Sequence, residues 1–191
     1  MVQESGRGRP RSESARASVL HAVDDLLVEV GYAALTMKGI AERAGVGRQT
    51  VYRWWSNKAE VLYEASVVDA RQELAVPLTG VPRDDLRAYL DALTNFLAHS
   101  HAGAAYRALL GEAQHDADVA ALLASGDVLG ESAAAVVAPL LLEAGGDDLS
   151  PEQATALLIG PVFFHIMSGR GPESVDTKKQ VEQFLRALAA D

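Results

Sequence analysis

The segment from Thr36 to Lys58, Thr-Met-Lys-Gly-Ile-Ala-Glu-Arg-Ala-Gly-Val-Gly-Arg-Gln-Thr-Val-Tyr-Arg-Trp-Trp-Ser-Asn-Lys, constrains the fold more than any other stretch. Gly45 and Gly47 interrupt it after one short helical pattern and before another. Thr36 suits the N-cap of the first, because its hydroxyl can accept from an unpaired backbone N–H. Ile40 and Ala41 begin an inward face, and Val46 and Val51 continue it past the turn. Gly45 supplies the left-handed conformation that a Cβ resists at a helix end. Gly47 stands where the second helix needs its cap. The pattern predicts a helix-turn-helix, whose second helix fits the major groove of DNA. Arg48, Gln49, Thr50, Tyr52 and Arg53 are left pointing outward. Arg and Gln can read base edges there, while Thr, Tyr and Lys can hold phosphates.

The flanks support this reading. Apolar residues at Val19, Ala22, Val23, Leu26, Leu27 and Val30 predict a helix over 13–30 with one buried face, ended by Gly31. Tyr32 and Leu35 should pack beneath the helix-turn-helix. Asn57 and Glu60 have capping-box spacing at the start of the next helix. Lys58 then lies in a first turn whose N–H groups and dipole already favour an anion, which makes sense if a phosphate comes close. Trp54 and Trp55 point about 100° apart on a helix, so both cannot face the core. Trp55 is expected inside, and Trp54 at the rim of the DNA face. Residues 1–11 lack apolar periodicity and read as a flexible basic arm. Arg7-Gly8-Arg9-Pro10 fits either a cationic strand in a narrow minor groove or a solubilising tail.

A net charge of −9 looks wrong for a nucleic-acid partner until it is divided. Residues 1–58 hold nine Lys/Arg against six Asp/Glu, a net +3, and the remainder is −12. Phosphate attraction is local, since salt screens charge beyond about 10 Å. The chain has no cysteine, which excludes disulfides and thiol catalysis. The N-terminus lacks a secretory signal, and the apolar runs 133–142 and 157–167 are too short to span a bilayer. A soluble, cytoplasmic, nucleoid-associated protein with no membrane partner is expected.

Beyond the segment, helices are predicted over 58–75, from an Asp84 cap through Leu86, Leu90, Leu93 and Leu97, over 103–114, and over 118–144 with a kink near Pro139. Ser150-Pro151-Glu152-Gln153 is a strong start signal for a helix to Ser168 that is apolar nearly all round. A last helix opens at Thr177 with Val181, Phe184, Leu185 and Leu188 as its stripe. No strand-like alternation occurs. The expected architecture is all-α with about nine helices: the arm (1–11), a three-helix DNA-binding domain (12–60), and a helical effector-binding and dimerisation domain (61–191).

The segment from about Ser14 to Leu62, a quarter of the chain, resembles the tetracycline-repressor (TetR) family of bacterial transcriptional regulators. The resemblance rests on Gly31-Tyr32, Leu35-Thr36, Ile40-Ala41, Ala44-Gly45-Val46, Val51-Tyr52 and Lys58. It implies phosphate contacts by Thr36, Tyr52 and Lys58 and base reading by Arg48, Gln49 and Thr50. It also implies a homodimer on double-stranded DNA, released by a small-molecule effector bound among the C-terminal helices. Gly47, where many members have serine, and Trp54-Trp55, where His-Phe is usual, depart from the pattern. The Gly-Pro-Val-Phe-Phe run at 160–164 looks like one branch of the family's C-terminal domain.

For the effector pocket, an apolar cavity among helices 84–168 is the default site. The candidates are Phe96, His99, Tyr106, Phe163, His165 and Met167, against the plain alternative that such side chains fill the core. His99 and His101 are two apart and point nearly opposite ways on one helix, so no metal and no cofactor is expected. An all-helical enzyme and an unregulated architectural DNA binder are the competing readings. No Gly-rich phosphate loop, nucleophile elbow or paired-histidine motif supports the enzyme.

Overall fold

The computed structural model describes residues 9–144 and 149–189, and every regular element among them is helical. The order is α1 (Arg9–Ala34), α2 (Met37–Ala44), α3 (Arg48–Tyr52), α4 (Lys58–Glu73), α5 (Pro82–His99), α6 (His101–Glu112), α7 (Ala117–Ser125), α8 (Val128–Ala144), α9 (Pro151–Met167) and α10 (Thr177–Leu188). A single 3-10 turn, Pro172–Ser174, precedes α10.

α1 begins at Arg9, so Arg9, Pro10 and Arg11 belong to helix backbone and not to a flexible arm. A proline in the first turn lacks an N–H that would have no partner there anyway. Residues 1–8, with Arg7 and Gly8 of the minor-groove reading, lie outside the described residues. Gly31 adopts φ 75°, ψ 165° and breaks the helical path where the apolar stripe ends. Val30, expected in that stripe, is half exposed at the turn before the break.

Apolar side chains gather into two clusters. One joins Val19, Val23, Ile40, Val51 and Trp55 to the start of α4, with Ala105, Leu109 and Val119 closing it from α6 and α7. The other is built on α5, α8, α9 and α10 around Tyr89, Phe96, Leu158 and Phe184. α4 belongs to both, through Val61, Leu62 and Ala65 at one end and Ala70 and Leu74 at the other. The expected boundary at residue 60 therefore falls inside a continuous helix. Val68, in the middle of that helix, is exposed.

Three helix ends differ from expectation, each because a nearby polar group satisfies the backbone differently. α5 starts at Pro82, and Asp85, not Asp84, holds the turn. The Asp85 carboxylate accepts from the Thr79 N–H and hydroxyl (both 2.7 Å) and the Gly80 N–H (3.1 Å), which holds its pKa below the usual carboxylate range. The run 118–144 divides at Gly126, where Asp127 accepts from the Gly130 N–H at 3.1 Å and caps α8. Pro139, the expected kink, lies within a continuous α8. That division makes ten helices among the described residues, where about nine were expected. Ala117–Glu143 is apolar enough overall to match a membrane span by composition, with a mean hydropathy of 1.4. It folds instead as helices of 9 and 17 residues, each short of the roughly 20 a span needs. At α10, Asp176 caps by accepting from the Lys179 N–H, while the Thr177 hydroxyl donates to Asp91 of α5.

α9 has the expected capping box: Ser150 Oγ accepts from the Gln153 N–H, and Gln153 Oε1 from the Ser150 N–H. Pro161 inside it has no N–H, which leaves the Leu157 carbonyl without its helical partner. Gln180 of α10, itself buried, donates Nε2 to the Leu157 and Leu158 carbonyls at 3.1 and 3.3 Å. Gln180→Leu should cost about 1 kcal/mol, because the part-buried Leu157 carbonyl loses the donor that stands in for its helical partner. An unchanged midpoint in urea unfolding would show that the bond carries no such weight.

Where α1 packs against α4 and α6, burial pushes the Asp24 carboxyl up to about 6, and Asp69 adds to the rise. His21 and His101 oppose it, and Asp25 adds a smaller rise. The folded protein thus holds a proton that the unfolded chain releases near pH 4, so stability falls as pH climbs from about 4 to about 6. Asp24→Asn should raise the melting temperature at pH 7.5 and flatten that slope. A variant that melts lower at pH 7.5 than the parent would contradict this.

Candidate nucleic-acid interface

The helix-turn-helix is built by local chemistry. Thr36 is extended (φ −136°, ψ 147°), and its Oγ1 accepts from the Gly39 N–H at 3.0 Å. A hydroxyl that accepts still has its own proton to donate outward. Gly45 takes φ 66°, ψ 28°, and the Val46 N–H returns to the Ala41 carbonyl at 3.1 Å, closing the end of α2. Gly47 caps α3 with backbone alone. Ile40, Ala41 and Val51 are buried, whereas Val46 is half-buried.

α3 is five residues long and presents Arg48, Gln49 and Tyr52 to solvent, with Thr50 half-buried beside them. Arg53 follows, its guanidinium 4.7 Å from the Trp54 ring centre. Trp54 is half-buried at the rim and meets Trp55 edge-on at 5.4 Å. Trp55 is buried and donates Nε1 to Glu64 Oε2 at 3.0 Å.

Charge pairing separates the cations of this region. Arg43 binds Glu29 with both guanidinium arms and lies 3.6 Å from Asp25, fastening α2 to α1. Arg16 pairs with Glu64 at 2.7 Å and Lys38 with Glu42 at 3.6 Å. Arg48 and Arg53 have no acidic partner among the described residues. Lys58 is different again. Its Nζ donates to the Tyr32 carbonyl at 2.8 Å and sits 4.2 Å from the Tyr32 ring centre. Sequence reasoning gave Tyr32 only a packing role; the two residues are 26 apart, and no local signal links them. Burial pushes the Tyr32 phenol up to about 12, with Glu112 and Asp116 adding to it. Glu60 also departs from the simple box, accepting from the Ser56 N–H at 2.6 Å while Asn57 Oδ1 accepts from the Glu60 N–H at 3.0 Å.

The effector-pocket candidates scatter. Phe96 and Tyr106 pack together at 6.2 Å in the core, and Phe163 packs against it. His99 is exposed at the end of α5, and Met167 at the end of α9. His165 lies on the wall of a cleft of about 300 Å³ between α9 and α10, its Nδ1 2.8 Å from the Pro161 carbonyl. Two further clefts flank α8: one of about 470 Å³ against α9, the other of about 360 Å³ against the end of α4. Among the described residues no three His, Asp or Glu stand together as a metal site.

Residues 19–65 match the bacterial regulatory proteins of the tetR family, and residues 76–184 match a tetracyclin repressor-like C-terminal domain. The uncharacterized HTH-type transcriptional regulator YdeS of Bacillus subtilis (strain 168) is 34% identical over 176 residues, 86% of this chain and 84% of that one. The DNA-binding transcriptional repressor TetR of Mycobacteroides abscessus is 36% identical over 84 residues, 44% of each chain. The crystal structure of the TetR family transcription regulator SCO0332 superposes with a TM-score of 0.69 at 28% identity, covering 93% of this chain and 98% of that one.

Proposed function

Because the chain belongs to the TetR family of bacterial regulatory proteins, we propose that this DNA-binding transcriptional regulator is a repressor that a small-molecule effector releases from a pseudo-palindromic operator. The observation that carries the reading is α3, with Arg48 and Gln49 exposed and Arg48 free of any acidic partner among the described residues. Arg48, Gln49 and Thr50 read bases in the major groove, and Thr36, Tyr52 and Lys58 hold the phosphates on either side. Arg53 and Trp54 lie at the edge of the same face. Lys58 gives one of its three N–H donors to the Tyr32 carbonyl, which leaves two for a phosphate.

The working unit is a homodimer. Leu157, Phe164 and Met167 lie on one exposed face of α9, and Phe164 is 60% exposed, more than a lone phenylalanine in a core helix should be. Pairing α9 and α10 with a second copy covers this face in a two-fold four-helix bundle. The effector site lies among the C-terminal helices, where His165 is the one of the six candidates that lines a described cleft. The protein acts at the chromosome, in the cytoplasm.

Footprinting on the DNA upstream of the protein's own gene tests this directly. The expected result is a protected pseudo-palindrome, with light scattering at micromolar concentration reporting a dimer. No protection on that DNA, or a monomer in solution, would overturn it.

A further inference from the structure

We infer that the cleft between the end of α4, the connection after it and α8 is the effector site, and that it takes an apolar small molecule bearing one anionic group. This deepens the regulator reading and rests on it. The cleft measures about 360 Å³, within the range of roughly 300–1,000 Å³ of ligand pockets. Leu74 and Val128, both buried, form its apolar wall, and Leu78 stands more than half exposed at its edge, surface that an occupant would cover. Ser132 gives it one rigid polar edge, because its Oγ is held 2.9 Å from the hydroxyl of the fully buried Tyr89.

Arg71 and Glu131 also line it and pair across α4 and α8 through one hydrogen bond, Arg71 Nη2 to Glu131 Oε2 at 3.2 Å. Both side chains are more than half exposed, and such a pair is worth at most about 1 kcal/mol. Arg71 is the one cation in the lining, and Glu131 engages only one arm of its guanidinium. A carboxylate or sulfonate offers two oxygens to that planar fork and replaces a one-armed partner with a two-armed one. Glu131, once released, stays solvated, so the exchange strands no charge. The consequence reaches the reading head, because α4 is one helix from Lys58 to Glu73. Parting this pair removes the polar tie between its last turn and α8 and leaves only their apolar packing, in a rigid rod whose first residue lies about 20 Å away at the DNA face.

The probe is 1-anilinonaphthalene-8-sulfonate, two apolar ring systems and one sulfonate, titrated into the full chain without DNA and followed by fluorescence. Thioflavin T, apolar and cationic, is the contrast. Saturable binding of the sulfonate dye is expected. Arg71→Gln should weaken it by at least about tenfold and Glu131→Gln should tighten it. Ala135→Trp, which fills the cleft from its exposed side, should abolish it. Neither exposed charge change disturbs the core, so these two variants decide the matter even if the tryptophan variant misfolds. Sulfonate binding unchanged by Arg71→Gln, or thioflavin T binding more tightly and lost in Glu131→Gln, overturns the inference. Because no DNA is present, either result leaves the operator footprint standing as a separate question.

Discussion

Replacing Arg48 with alanine is expected to lower operator affinity by about 1–3 kcal/mol per reading head, and so about 2–6 kcal/mol for a dimer. That is about 30-fold to about 20,000-fold in dissociation constant. The size follows from three features of the site. Arg48 is the first residue of α3, where side chains of a recognition helix reach base edges. It is exposed and has no acidic partner among the described residues, so no internal bond is lost on binding. Its removal leaves no cavity, so the fold should melt at the parent's temperature. The variant should also relax preference at one position of each half-site. Lys58→Ala provides the contrast. It should weaken binding to all sequences alike and lower the salt dependence, since a phosphate contact carries no sequence information. An Arg48→Ala protein that binds within twofold of the parent, with its sequence preference intact, would remove Arg48 from the reading face.

The second large effect concerns stability. Gly103→Ala should destabilise the protein, although alanine is the better helix former by about 1 kcal/mol. A Cβ at Gly103 would overlap the Phe96 carbonyl oxygen and lie 2.7 Å from its carbon, and both are backbone atoms of α5 that no rotamer change can move. α5 and α6 would have to separate, breaking the packing of Phe96 on Tyr106. Overpacking of this kind costs about 3 kcal/mol at the upper end of its usual range, which leaves a net loss of about 2 kcal/mol. For a chain of this length that lowers the melting temperature by about 4–8 °C. An unchanged or raised melting temperature would mean that the two helices can part without cost.

The reading head was legible because its determinants are local. Thr36, Gly45, Gly47 and Asn57 act on backbone groups within five residues of themselves, so spacing alone reveals them. Trp55 is buried and Trp54 half-buried, as expected, although both lie just past the end of α3. What escaped were contacts between distant residues. The Tyr32 clasp on Lys58, the Gln180 bonds to α9 and the Tyr89–Ser132 bond join positions 22 to 43 apart and leave no periodic trace. Five of the six pocket candidates lie away from the described clefts for a related reason. Phe96 and Tyr106 have the residue types that line ligand sites, but the same types fill cores, and only packing separates the two uses. Of the six, His165 alone lines a described cleft, and the clefts beside α8 are lined by Asp127, Glu131, Thr155 and Ala135, residues that no motif or spacing singles out.

Selection of bound duplexes from a random pool by the full chain tests the central claim most directly. The account predicts enrichment of a pseudo-palindrome whose half-sites lie about one DNA turn or more apart, with one position per half-site losing its preference when Arg48 is replaced by alanine. An unenriched pool, or a single unrepeated half-site whose sequence is indifferent to Arg48, would contradict it.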